Sequence, residues 1–268
     1  MHEVLLAIPL GIAIGISIGA LGAGGSILTI PALVLILGQD AHEAATTSLF
    51  VVGSAAAVGA IVHHRKGTVR LRSALVFAGV GVVGSLLAGY ASVRTDSETF
   101  TFALAGIMLV AAVLVGRRGE PDGDGGAGAE AGATAAGAAS ADRALPRHAL
   151  LRTLAAGTLV GVVTGFFGVG GGFLTVPALI YALGLPLTVA VGTSLVVTTL
   201  NAATALVPRI GSDLLEPGIT IAFVLTSVTG SIIGARIAHR LPQRALRIGF
   251  VVLVVLTAVA LALDAALK

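Results

Sequence analysis

Uncharged apolar stretches separated by short polar segments account for most of this chain. Because crossing the hydrocarbon core of a membrane takes about 20 helical residues, stretches of this kind predict transmembrane helices. The pattern predicts five helical elements in each half, and hence an all-α, polytopic membrane protein. These elements are 4–21, 26–38, 43–62, 73–93 and 100–116 in the first half, and 150–167, 172–184, 188–207, 218–235 and 248–265 in the second.

The second element of each half is too short to cross a membrane as a helix. A helix of this length rises only about 20 Å, and each short element directly follows a glycine-rich turn. Residues 22–31 read GAGGSILTIP, and residues 168–177 read GVGGGFLTVP. We therefore predict that the first two elements of each half form a helical hairpin broken at the glycines, followed by three transmembrane helices.

The two halves are copies of one another. Residues 15–94 align with residues 161–240 at a constant offset of 146 without gaps, and 24 of the 80 aligned pairs are identical. A duplicated hydrophobic segment interrupted by glycines is the best sequence indicator of a transporter's binding site. The duplication therefore directs attention to the two glycine turns.

The distribution of Lys and Arg predicts how the helices are oriented. These residues concentrate on the cytoplasmic side of membrane proteins, and here a basic loop follows the third element of the first half but the fourth element of the second. Equivalent loops must then face opposite sides, so the duplication is an inverted repeat with both termini outside. The glycine hairpins contribute two crossings if they span and none if they are re-entrant. The basic loops contain Arg65, Lys66, Arg70 and Arg72, then Arg236, Arg240, Arg244 and Arg247.

A segment of different composition joins the two halves. Residues 117–149 are rich in Gly, Ala and acidic residues and lack an apolar period. Such a sequence buries too little apolar surface to fold. We therefore predict a disordered cytoplasmic linker at 117–149 between two membrane repeats, 1–116 and 150–268.

Composition and charge exclude several classes of protein. With 56% hydrophobic and 11% charged residues, the chain cannot cover a water-facing surface, since soluble domains carry about 25% charged residues. The net charge of +3 resides in short loops and does not indicate nucleic-acid binding. The absence of cysteine excludes disulfides and a catalytic thiol. The N-terminus lacks the basic region of a cleaved signal peptide.

The predicted helices contain no ionisable residue away from their ends. Between Arg152 and Arg209 there is no charged residue at all. Because intramembrane carboxylates are the usual proton relays, a buried carboxylate relay is not expected. No catalytic site, metal site or cofactor is predicted either. His63 and His64 are predicted to lie in an interfacial loop beside the arginines.

The two glycine turns are the candidate substrate site. Glycine allows a sharp turn with exposed N–H groups. The helix that follows presents unpaired N–H donors at its start, and these donors bind anions although they carry no formal charge. Ser26 is predicted to cap the first of these helices, and Thr29 and Thr175 to point back toward the turns. The prolines are expected to free further backbone groups. The candidates are Gly22, Gly24, Gly25, Ser26, Thr29 and Pro31, with Gly168, Gly170, Gly171, Gly172, Thr175 and Pro177.

A second matched motif lies at the start of the third element of each half. It places Thr47 and Ser48, then Thr193 and Ser194, as hydroxyl donors toward a small oxyanion. Asn201, a side-chain amide inside a predicted span, is a further candidate. Each has a structural alternative, because hydroxyls also bond to their own helix backbone, and glycine and asparagine also mediate helix packing.

Together these motifs resemble the TauE/SafE family of membrane transporters. Two copies of a glycine-rich turn are followed by Leu-Thr, an apolar residue and Pro-Ala-Leu, and then by an Ala-x-x-Thr-Ser-Leu element. The resemblance covers about 15–116 and 150–265. It implies a prokaryotic plasma-membrane permease whose relatives export or take up sulfite, organosulfonates and related anions. Ser26 stands where the second copy has Gly172, so the two half-sites need not bind equally.

The leading functional hypothesis is a secondary transporter for a small anion, bound between the two turns near the bilayer midplane. A passive anion channel or facilitator and a non-transporting membrane scaffold are the alternatives. An integral-membrane enzyme is disfavoured because no ionisable cluster lies within the spans. The expected partners are the anion and the lipid bilayer, and homo-oligomer formation is left open.

Overall fold

The structure is a computed structural model that describes residues 2–21, 24–117, 147–210 and 217–237. These residues form helices and connecting loops without any strand. The helices are α1 (His2–Leu21), α2 (Thr29–Pro31), α3 (Ala41–Arg65), α4 (Leu71–Val93), α5 (Ser97–Arg117), α6 (Arg147–Phe167), α7 (Gly172–Leu183), α8 (Leu187–Leu206) and α9 (Pro217–Ile237).

The predicted all-α fold is confirmed, and the helices begin and end within a few residues of the predicted limits. The predicted element at 248–265 and most of the predicted linker lie outside the described residues. Among the described residues, four helical segments are long and apolar enough to cross a membrane. They are Ala41–Arg65, Leu71–Val93, Leu187–Arg209 and Pro217–Ile237.

The short element after the first glycine turn is not a regular helix. Gly24–Leu28 is a 3-10 helix, α2 is a single α-helical turn, and Ala32–Ile36 is a π-helix. Pro31 lacks an N–H, so the hydrogen-bond ladder loses one bond at this point. The equivalent helix α7 remains α-helical around Pro177. Each short element therefore follows a glycine turn as predicted, but only the first is irregular.

The first helix of each half packs against the fourth element of the other half. Helix α1 lies along α9, and α6 lies along α4. Glycines permit this close approach: a Cβ on Gly15 would meet the carbonyl of Ser227, and one on Gly161 would meet the carbonyl of Gly81. These contacts are equivalent under the 146-residue offset. The duplication in the sequence therefore extends to the packing of the helices.

Two buried hydrogen bonds follow the same equivalence. Ser231 Oγ on α9 donates to Ala55 O on α3 at 2.7 Å, and Ser85 Oγ on α4 donates to Asn201 O on α8 at 2.9 Å. The offset relates Ala55 to Asn201 and Ser85 to Ser231. Each half is thus fastened to the other through the same pair of positions.

Helices α3 and α8 are equivalent in the repeat and run in opposite directions. A Cβ on Gly53 would lie 3.2 Å from Ala202 Cβ, and a Cβ on Gly59 would lie 3.3 Å from Leu195 Cδ1. Residue numbers therefore rise along α3 as they fall along α8. The pair crosses near the middle of both helices.

The two ends of this bundle differ in charge. Helices α1, α3 and α9 end together, and the described charged side chains at this end are basic. At the other end, Asp40 caps α3 and Asp96 caps α5. Hydrogen bonds from the Thr99 backbone and hydroxyl hold the pKa of Asp96 below its usual value. The basic end carries Arg65, Lys66, Arg70, Arg72 and Arg236, whereas the other end carries Asp40, Glu43, Asp96 and Glu98 with Arg94 and Arg209.

Candidate functional site

The second glycine turn enters the bundle beside α3. Gly168, Gly170 and Gly171 have φ values of 69°, 72° and 61°, which lie in the left-handed region that glycine adopts without strain. A Cβ on Gly170 would meet Val52 Cγ1 and lie 3.4 Å from Ser26 Cβ. The backbone therefore passes through a space with no room for a side chain.

Ser26 brings the first glycine-turn segment to the same place. It is fully buried and lies in the 3-10 helix Gly24–Leu28, so the segments after both turns meet beside Val52. Val52 is the twelfth of the 25 residues of α3. The meeting point is therefore near the middle of this apolar span. The prediction that Ser26 caps the following α-helix is wrong, because that segment begins as a 3-10 helix that includes Ser26.

Three hydroxyls of the first half are buried without a hydrogen-bond partner among the described residues. They belong to Ser26, Thr29 and Ser48. Ser48 lies four residues before Val52 on the same face of α3, the face that contacts the second glycine turn. Burying an unpaired hydroxyl costs about 1–3 kcal/mol. Three such groups near the two turns indicate a place where a polar ligand would be stabilised.

The equivalent hydroxyls of the second half bond to their own helices. Thr175 Oγ1 donates to Gly171 O at 2.8 Å, and Ser194 Oγ donates to Val191 O at 2.8 Å. Thr175 therefore points back toward its glycine turn, as the sequence predicts, with its proton already engaged. The two halves present different sets of available donors.

Thr47 and Thr193 make contacts between helices. Thr47 Oγ1 lies 3.5 Å from Thr220 Oγ1 on α9, and Thr193 Oγ1 accepts a hydrogen bond from the Arg70 backbone N–H at 3.1 Å. These contacts give both threonines a structural role. Neither is among the unpartnered hydroxyls.

A second set of unpartnered polar atoms lies on α8. Both amide atoms of Asn201 and Oγ1 of Thr198 are buried without a partner in the described part of the chain. The amide lies against α4, because a Cβ on Gly81 would be 2.9 Å from Asn201 Oδ1. Sequence reasoning missed Thr198. It lies four residues after Ser194 on the same face of α8, and this spacing was the available signal.

The other predicted site residues that the structure describes lie within the two short elements. Gly22 lies outside the described residues. Gly24 and Gly25 begin the 3-10 helix, and buried Pro31 ends α2. Gly172 begins α7, and Pro177 lies within it. Within the described ranges, no group of three or more His, Asp or Glu side chains could hold a metal ion.

Two basic side chains that the sequence assigned to loops are buried. His63 is 6% exposed, and Arg209 is 3% exposed. The loop prediction for His63 and His64 is wrong because α3 continues to Arg65. Helix α3 packs His63 against α1, whereas His64 is exposed. Hydropathy could not separate these neighbours, since both are polar and only their faces on the helix differ.

The chain is similar to membrane transporters over nearly its full length. A family model described as "Sulfite exporter TauE/SafE" matches residues 7–261. A "Probable membrane transporter protein" of Xylella fastidiosa (strain 9a5c) is 33% identical over 252 residues, covering 90% of this chain and 87% of that protein. The "Probable membrane transporter protein YdhB" of Bacillus subtilis (strain 168) is 23% identical over 238 residues, covering 87% of this chain and 90% of that protein. No solved structure matches the chain.

Proposed function

We propose, from the premise that this chain belongs to the sulfite exporter TauE/SafE family of membrane transporters, that it carries a small anion across the membrane by secondary transport. Sulfite, sulfonates and related organic anions are the proposed substrate class. The observation that carries this proposal is the meeting of the two glycine-turn segments beside buried hydroxyls that have no hydrogen-bond partner within the described ranges.

The proposed site favours an anion because its described polar groups include hydrogen-bond donors and no carboxylate. The hydroxyls of Ser26, Thr29 and Ser48 can each donate to an oxyanion. Helix α7 begins at the second turn, so the positive end of its dipole and its first N–H groups lie beside the site. A bound cation would find no neutralising charge among these groups.

We propose that the two halves form an inverted repeat in the membrane. The antiparallel course of α3 and α8 supports this arrangement. We assign the bundle end with only basic described side chains to the cytoplasm. The start of α1 would then lie outside, and the crossing predicted at 248–265 would bring the C-terminus to the same side. Transport would then proceed as the halves rock about the site between the turns.

Uptake into proteoliposomes tests this function. Purified protein is reconstituted, and sulfite, methanesulfonate and acetate are supplied with and without imposed proton or sodium gradients. We expect saturable uptake of a sulfur oxyanion that is accelerated by a gradient. Non-saturable flux that ignores both gradients would instead identify a channel. If folded protein moves none of these anions, the proposed function is wrong and the scaffold alternative gains support.

The repeat provides a matched pair of variants for the site. Thr29→Val is expected to raise KM for the anion about tenfold, because one hydrogen bond to a charged ligand contributes about 1.5 kcal/mol. The same variant is expected to melt at a higher temperature without substrate, since it removes a buried hydroxyl that bonds to no group in the described part of the chain. Initial uptake rates and thermal unfolding measure the two effects.

Thr175→Val is the second member of the pair and serves as the control. Its hydroxyl is already bonded to Gly171 O, so KM is expected to stay within about twofold of the unmodified protein. Equal changes in KM at Thr29 and Thr175 would contradict the assignment of the unpartnered hydroxyl to substrate.

A further inference from the structure

Two different basic side chains make the same contact in the two halves. The 146-residue offset relates His63 to Arg209 and Gly19 to Gly165. His63 Nε2 donates to Gly19 O at 3.2 Å, and Arg209 Nη2 donates to Gly165 O at 3.4 Å. Arg209 Nη2 also donates to Phe166 O at 3.3 Å. The contact is therefore a property of the position and not of one residue type.

Each contact holds the helix that leads into a glycine turn. Gly19 lies in the last turn of α1, and Gly165 lies in the last turn of α6. The final carbonyls of a helix lack donors within the helix, so an N–H donor from a side chain stabilises them whether or not that side chain is charged. The glycine turns follow directly, so any shift of these helix ends would move the turns.

Both side chains also bind a second structural element. His63 belongs to α3, and its Nδ1 lies 3.1 Å from Thr68 Oγ1, in the connection to α4. Arg209 follows α8 and donates to Ser92 Oγ on α4 at 2.9 Å. Each side chain therefore fastens the end of one hairpin helix to the neighbouring helices.

We propose that His63 and Arg209 are positioning residues that latch α1 and α6, one at each end of the bundle, and that pH acts on only one of these latches. An imidazole titrates near neutral pH, whereas a guanidinium stays charged. Any effect of these latches on alternating access rests on the proposed transport function. The latches themselves can be tested without any substrate.

Protonation is expected to loosen the His63 latch. Burial removes the hydration of a charged imidazole, and nearby positive charges repel it, so opening of this end is favoured in acid. Helix α1 supplies no charge between residues 4 and 21. The other titratable and charged groups described around His63 lie on the neighbouring elements. His64 and Arg65 are on α3, Lys66 follows α3, Arg70 precedes α4, Arg72 is on α4, and Arg236 is on α9.

The described residues of the Arg209 end also include a histidine, His42. His42 Nε2 donates to Thr95 O at 2.9 Å, so His42→Gln is introduced into every test protein to isolate the latches. The other charged groups that the structure describes at this end are Asp40 and Glu43 around the start of α3, Arg94 and Asp96 after α4, and Glu98 on α5.

Cysteine labelling measures the opening of each end. The chain has no cysteine, so single substitutions report without background. Ala235→Cys probes the His63 end and Ala205→Cys probes the Arg209 end, and both alanines are fully buried. Maleimide labelling rates are measured at about pH 8 and about pH 6. Each rate is divided by that of the unfolded protein at the same pH, which removes the pH dependence of the thiol itself.

We expect acid to raise the relative labelling of the Ala235→Cys protein by about fourfold at most, because the gain is limited by the fraction of the imidazole that is charged in the open state at about pH 6. The Ala205→Cys protein should stay unchanged. Adding His63→Arg should abolish the response at Ala235→Cys, and adding Arg209→His should create one at Ala205→Cys. This exchange of pH dependence between ends is a result that a merely structural role would not produce.

The proposal is overturned if labelling at Ala235→Cys does not respond to pH, or if His63→Arg leaves the response intact. Gel filtration confirms that each variant is folded. If His63→Arg is not recovered, His63→Gln replaces it, because glutamine keeps a donor and does not titrate. Failure of anion uptake together with the expected labelling pattern would reject the proposed function and leave the latches supported.

Discussion

Replacement of Gly170 by alanine is expected to reduce anion uptake at least about 100-fold while the protein stays folded. Gly170 has a φ of 72°, and an L-residue in this conformation costs about 1–2 kcal/mol. The added methyl group would also meet Val52 Cγ1 at the point where Ser26 and the second turn come together. Relief of that overlap, which typically costs about 1–3 kcal/mol, requires the turn or α3 to move away from the site.

Gly184→Ala separates backbone strain from crowding at the site. Gly184 has a similar φ of 62°, but an added Cβ would meet nothing within 4 Å. This variant should lose about 1 kcal/mol of stability and keep its uptake rate within about twofold. Uptake by both variants is compared at equal amounts of reconstituted, monodisperse protein. Normal uptake by Gly170→Ala would remove the second turn from the substrate pathway.

Gly161→Leu is expected to disrupt folding more than any other single substitution considered for this chain. A Cβ at Gly161 would meet the Gly81 carbonyl and lie 2.7 Å from Gly81 Cα, so α6 and α4 could not keep their contact. Association of helices in a membrane depends on such close packing between small residues. The apparent melting temperature in detergent should fall by at least about 10 °C, since overpacking by several methyl groups costs several kcal/mol.

Gly79→Leu is the matched control on the partner helix. Gly79 is exposed on α4, and a Cβ there would meet nothing within 4 Å. A leucine at this position would extend into lipid, so the melting temperature should change by only a few degrees. Size-exclusion chromatography after stepwise heating measures both variants. Equal stability of the two variants would show that α4 and α6 do not pack through Gly161.

Hydropathy predicted the helices well because the free energy of inserting a helix into a membrane is set within the segment itself. Whether about 20 residues enter a hydrocarbon layer depends on their own side chains, and the predicted third and fourth elements of both halves coincide with the segments able to span. The glycine turn before each short element was equally readable. The irregular course of Gly24–Ile36 was not readable, because the second copy has the same pattern of glycine and proline and stays α-helical around Pro177.

Side-chain partners were not predictable in the same way. Thr29 and Thr175 are identical in the aligned repeat, yet only Thr175 bonds to its own helix. The difference follows from local helix type: α7 is a regular α-helix in which the carbonyl four residues earlier is within reach, whereas Thr29 follows a 3-10 segment. The burial of His63 and Arg209 was also missed. Hydropathy ended the third element at 62 and the equivalent element at 207, whereas the helices continue to Arg65 and Arg209.

The sequence by itself determined that this chain is a duplicated, all-helical membrane protein with a glycine-broken element in each half and uncharged helix interiors. Those features follow from composition, backbone freedom and repeat spacing, which act over a few neighbouring residues. Only the tertiary structure decided that α1 pairs with α9 and α6 with α4, and that Ser26 meets Gly170 beside Val52. With 37 glycines in the chain, many helix faces could pack closely. Which of them do so depends on the mutual fit of distant segments, and that fit is not contained in any one of them.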